Sequence, residues 1–118
     1  MTPFGARIRE LRAARGVTLK KMADDLHISS AYLSALEHGN RGQPPIQLVR
    51  QICAYFGMFW DDAEALERLA QLSHPRVVVD TAGLGPRATE LANRLAERIR
   101  TLDEATLERM LALLDERE

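Results

Sequence analysis

Residues 19–38 read LKKMADDLHISSAYLSALEH, and the spacing inside that stretch decides the fold. Leu19, Met22, Ala23 and Leu26 recur at helical intervals, as do Leu33 and Leu36. Thr18 and Ser29 stand at the head of the two runs, where a hydroxyl can accept a backbone N–H that the first helical turn leaves without a partner. Between the runs, His27 falls where the chain must turn, and histidine enters left-handed backbone more readily than most side chains. Ala23 is small at the place where the second helix would cross the first. The stretch predicts two short helices crossing steeply at His27, with Met22, Leu26, Ile28, Leu33 and Leu36 inside and Ser30 and Ser34 outside.

Helices are expected on both sides. Thr2 followed by Pro3 is a start signal, Phe4, Ile8 and Leu11 share one stripe, and Gly16 supplies a left-handed stop. The third helix closes at Gly39, and Asn40-Arg41-Gly42-Gln43-Pro44 reads as a loop. A fourth helix carries Val49, Ile52, Cys53 and Phe56 and ends at Gly57. Asp61 with Glu64 resembles a capping box opening a fifth helix through Leu66, Leu69 and Leu72, which His74-Pro75 terminates. Residues 76–80 form a short β-like run, and Thr81 to Pro86 is a linker. Two amphipathic helices follow, one with Leu91, Leu95, Ile99 and Leu102 and one with Leu107, Met110, Leu111 and Leu114. A capping box of Thr101 and Glu104 is expected between them.

The chain has 118 residues, enough for one modest domain with an appendage. A single cysteine allows no intrachain disulfide, and no apolar run approaches a membrane-spanning length or a signal peptide; a cytoplasmic location is expected. The net charge of −1 hides an asymmetry. Residues 1–50 hold eight basic against four acidic residues, and residues 51–118 hold eight against thirteen. A balance of +4 followed by −5 suggests a front that faces a polyanion and a solvated or assembling rear.

The residues Ile8-Arg9-Glu10-Leu11-Arg12, Gly16-Val17-Thr18, Met22-Ala23, Leu26-His27-Ile28-Ser29 and Tyr32-Leu33-Ser34-Ala35-Leu36-Glu37-His38-Gly39 carry a resemblance to the Cro/repressor-like, or xenobiotic-response-element (XRE), helix-turn-helix family. It covers roughly residues 4–72. The resemblance implies an all-α fold: a five-helix repressor-like DNA-binding domain over 1–73, with a linker and helical dimerisation tail over 74–118. It also implies that the second helix of the motif enters the major groove, presenting Ser30, Ala31, Ser34 and Ala35 to base edges. Phosphate contacts fall by the same reasoning to Thr18, Lys20, Ser29, Tyr32, Asn40 and Arg41, and a structural ion pair to Arg12 and Glu37. Two positions depart from the family pattern: Leu19 stands where glutamine is common, and His27 where glycine is common.

The reading helix has its own chemistry. Residues 29–37 contain no Arg, Lys, Asn or Gln, the types that make bidentate base contacts. Selectivity is expected to lean on thymine methyls, DNA shape and phosphate register. The resulting expectation is a transcriptional repressor that binds double-stranded DNA as a homodimer, without cofactor, metal or catalysis. The contrasting reading is an antitoxin-like or adaptor module that uses residues 86–118 to hold a protein partner. His27, His38 and His74 are scattered without metal-ligand spacing, and no nucleophilic triad or phosphate loop occurs. Cys53 is expected in the core, and so are Phe56, Phe59 and Trp60, with a small aromatic pocket as the alternative for those three. Arg7, Arg9, Arg15, Lys20 and Lys21 are expected on a solvated face, with phosphate contact only nearest the motif.

Overall fold

The computed structural model describes residues 1–115, which contain seven α-helices and no strand. The chain divides into two compact units, Met1–Val77 and a second that begins at Val78.

Five helices build the first unit: α1 Pro3–Arg15, α2 Leu19–Asp25, α3 Ser30–His38, α4 Ile46–Tyr55 and α5 Asp61–Gln71. Thr2 caps α1 by accepting from the Gly5 amide at 3.0 Å, and Pro3 follows where no amide hydrogen bond is lost. At its other end Gly16 is left-handed (φ 69°), and the Val17 amide reaches back to Arg12 at 2.9 Å. Thr18 caps α2 through the Lys21 amide, and Ser29 caps α3 through the Tyr32 amide, both at 3.0 Å. The turn between them rests on His27 at φ 59°, and the Ile28 amide closes it on the Ala23 carbonyl at 3.0 Å.

The core comes from one stripe of each helix. Phe4, Ile8, Met22, Ala23, Leu33, Val49 and Ile52 are fully enclosed, and Leu36 of α3 and Leu66 of α5 are nearly so. Helix α1 packs on α3 and α5, α2 on α3, and α4 on α5. The α1–α3 contact is close because residue 5 has no side chain. A Cβ there would collide with the Glu37 carbonyl and come within 2.7 Å of the Glu37 Cα. That carbonyl also accepts from the Thr2 amide at 3.1 Å, so the start of α1 satisfies the end of α3.

The α4–α5 turn corrects two expectations. Asp61 is the first residue of α5 and not its cap; the capping position belongs to Trp60, at φ 55° and ψ −121°, with no side-chain cap bond. Phe59 and Trp60 were expected inside, yet they are 62% and 88% exposed, and only Phe56 is buried. The helix stops at Gln71, so Leu72 is exposed and Ser73 is buried in its place. The Ser73 hydroxyl accepts from the Phe4 amide at 2.9 Å and donates to the Leu69 carbonyl at 2.6 Å.

Residues 76–80, expected as β-like, form no strand, and Val77, Val78 and Val79 are exposed. A three-valine run has β propensity, but a strand needs a neighbour to hydrogen-bond. The second unit holds α6 Pro86–Arg98, a 3-10 turn Ile99–Thr101 and α7 Glu104–Asp115. Asp103, not Thr101, caps α7: its carboxylate accepts from the Thr106 amide at 2.8 Å. That bond holds the Asp103 carboxyl below its ordinary value. None of the unit's helices buries a residue among those described; Leu91, Leu111, Leu113 and Leu114 are all exposed. No helix of the described residues is long and apolar enough to cross a membrane.

Candidate nucleic-acid interface

Helix α3 shows two opposite faces. Leu33 and Leu36 point into the core, while Ser30 and Ala31 of the first turn are exposed. Ser34 and Ala35, one turn later, are half-buried. Spacings of three and four residues put Ser30, Ala31, Ser34 and Ala35 on adjoining rows of one helical surface. This surface carries two hydroxyls and two methyls and no charge, so it offers short-range contacts only.

Of the residues expected to meet a polyanion, Thr18 and Lys20 stand at the start of α2, Ser29 and Tyr32 at the start of α3, and Asn40 and Arg41 in the loop after it. Thr18, Lys20, Ser29, Asn40 and Arg41 are exposed, and Tyr32 is half-buried. Thr18 and Ser29 cap their helices as acceptors, which leaves each O–H free to donate to a phosphate oxygen. The cations differ in availability. Lys20 stands 3.6 Å from Asp24, and Lys21 bonds Asp25 at 2.9 Å. Asp25 also accepts from the Tyr55 hydroxyl at 2.6 Å, and that bond, followed by the one from Lys21, holds its carboxyl below the usual range. The same contacts push the Lys21 ammonium and the Tyr55 hydroxyl upward. Arg41 has no carboxylate partner among the described residues and lies over the Tyr32 ring, 5.6 Å from its centre.

Behind the surface, Arg12 Nη2 donates to both carboxylate oxygens of Glu37 at 3.0 Å. The Glu37 side chain is 3% exposed and that of Arg12 13%, so the pair is a strut between α1 and the last turn of α3. Burial pushes the Glu37 carboxyl up, and the Arg12 guanidinium partly opposes it. The Arg12 Nε is buried without a partner.

Several residues that frame the site escape the sequence. Arg15 is exposed, as expected, but its guanidinium is engaged: Nη1 and Nη2 donate at 2.9 Å to the Tyr55 and Phe56 carbonyls, and the guanidinium carbon lies 5.4 Å from the Phe56 ring centre. It thereby caps α4, a long-range contact that no local pattern marks. Gly5 had a faint signal, since a lone glycine in a helical pattern usually has a packing reason. Cys53 is buried in the core, and burial raises its thiol above the ordinary value. Among the described residues no three His, Cys, Asp or Glu side chains gather to hold a metal ion.

Comparison with known proteins agrees with this geometry. A family model described as a helix-turn-helix domain matches residues 3–75. A protein of Bacillus subtilis (strain 168), the uncharacterized HTH-type transcriptional regulator RghRB, is 43% identical over 54 residues. The match takes in 46% of this chain and only 39% of that protein. No solved structure matches the chain.

Proposed function

The chain belongs to the helix-turn-helix domain family, in its XRE-like form, and on that premise we propose that it is a DNA-binding transcriptional regulator acting in the cytoplasm. One observation carries the reading: the sharp turn at His27 leaves the first turn of α3 exposed at Ser30 and Ala31, with Ser29 capping it and the exposed Arg41 lying over Tyr32 of the same turn. A helix held in that attitude can enter a major groove with its N-terminal residues against base edges, while the surrounding donors meet phosphates. The function of RghRB bears on this chain by likeness over the matched segment alone.

The regulator is further proposed to be a repressor that binds a palindromic site as a homodimer. Two copies related by a two-fold axis double the phosphate contacts and place two reading helices one DNA turn apart. The second unit favours that assembly. Leu91, Leu95, Leu102 and Met110 line an open groove of about 610 Å³ in it, and leucines of α7 also face outward. Those apolar residues supply what a pair of helical hairpins would bury.

A gel-shift salt titration on genomic fragments tests the proposal. Selective binding that weakens steeply with salt is expected. A chain that prefers no fragment at moderate salt would instead support an adaptor that engages a protein partner through residues 86–118. Sedimentation of the full chain gives the oligomeric state, and a monomer at micromolar concentration would exclude the dimer.

A further inference from the structure

Arg41 sits in the loop after α3, exposed, with its guanidinium over the face of Tyr32. Tyr32 is the third residue of α3, half-buried and packed against the core, so its ring has less freedom than a fully exposed side chain. Lys20 and Lys21 of α2 each face an aspartate, whereas Arg41 meets no carboxylate among the described residues. A guanidinium that rests on an aromatic ring is attracted through its flat face. Its five N–H donors lie in the plane and remain free for a planar or tetrahedral oxyanion. A long side chain that is already ordered also loses less rotamer freedom when it docks.

We infer that Tyr32 is a positioning residue that acts through its ring, holding Arg41 beside the first turn of α3 so that the guanidinium edge meets a DNA phosphate. The inference rests on the DNA-binding reading and assigns the Tyr32 hydroxyl no part in the contact. Attraction of this kind at an exposed site corresponds to a factor of about two to five in affinity.

The test uses the full chain and fluorescence anisotropy with a fluorescein-labelled duplex of arbitrary sequence, about two helical turns long, at low salt. An arbitrary duplex suffices because phosphate contact carries no sequence information. Arg41→Ala is expected to weaken binding several-fold and to lower the salt slope by about one. Tyr32→Phe should bind like the parent, and Tyr32→Leu should lose about two- to fivefold. In the Arg41→Ala background, Tyr32→Leu should cost nothing more. Equal losses in both backgrounds, no loss from Tyr32→Leu, or a Tyr32→Phe loss as large as that of Tyr32→Leu would each overturn the inference. A variant that leaves the half-buried ring untouched guards against unfolding: Arg41→Lys keeps the charge but surrenders the planar stack, and undiminished affinity there also overturns it. If the parent binds no duplex even at low salt, the DNA-binding reading falls and this inference with it. Loss at Arg41 with silence at Tyr32 removes the inference alone.

Discussion

Arg12 and Glu37 meet through one nitrogen: Nη2 lies 3.0 Å from both carboxylate oxygens, while Nε is enclosed without a partner. The pair is buried, so the cost of taking both charges out of water sets its worth as much as their attraction does. Removing one member leaves the other uncompensated, at a cost of about 3–5 kcal/mol.

Arg12→Ala is therefore expected to destabilise the first unit by about 3–5 kcal/mol at neutral pH, read by urea unfolding. The loss should depend on pH. Burial raises the Glu37 carboxyl above its unfolded value, so in the pH window between the two values the folded chain binds more proton there than the unfolded chain does. The associated stability is complete below the unfolded value and is lost as pH rises through the folded one. Without Arg12 the carboxyl moves further up, so the deficit should shrink on acidification from pH 7 toward the ordinary carboxylate range. A deficit that is flat with pH would contradict this account.

Gly5→Ala places a methyl against the Glu37 backbone, which has no rotamer to yield. The expected loss lies at the upper end of the overpacking range, about 3 kcal/mol. Gly16→Ala serves as the comparison: nothing lies within 4 Å of the added carbon, so only left-handed backbone strain remains, about 1–2 kcal/mol. Thermal unfolding of the two variants should rank Gly5→Ala as the more damaging.

Trp60→Gly is expected to stabilise. The tryptophan occupies a turn closed by the Asp62 amide on the Phe59 carbonyl at 3.2 Å, in backbone geometry that favours glycine. Relief of about 1–3 kcal/mol of strain outweighs the roughly 0.5–1 kcal/mol of chain entropy that glycine adds. At 88% exposure little burial is forfeited. A net gain of about 1 kcal/mol in urea unfolding is expected, and Trp60→Ala should show none.

Ser30→Gln adds an amide able to pair with adenine on the exposed first turn of α3. Binding-site selection from a random duplex pool should shift toward adenine at one position per half-site. On the proposed base contacts the unmodified chain should show little guanine dependence, because residues 29–37 hold no arginine or lysine. Strong guanine preference in the unmodified chain would refute the proposed base contacts.

What the sequence makes legible here is local. Thr2, Gly16, Thr18, His27, Ser29 and Gly39 each declare a helix end within four residues of themselves, and each end lies where its residue type suggests. The apolar stripes of α1 to α4 are equally plain. The errors fall where a distant group or a strained backbone intervenes. Asp61 looks like a cap because its acidic first turn suits a helix start, but Trp60 holds that position in a conformation no propensity favours. Phe59 and Trp60 look like core because aromatic residues usually are. Arg15 shows no mark of the carbonyls it reaches from 40 and 41 residues away. In the candidate site, the caps and the outward face of α3 follow from spacing. The Tyr32–Arg41 stack does not, since it depends on how the loop returns past the helix.

The Ser73 hydroxyl joins two parts of the fold that lie 69 residues apart in sequence. Because one oxygen serves both the Phe4 amide and the Leu69 carbonyl, the entry and exit of the five-helix unit form a single latch. Fraying at either border therefore gives up a hydrogen bond at the other, and the Phe4 amide is expected to exchange its hydrogen more slowly than an unlatched first-turn amide would.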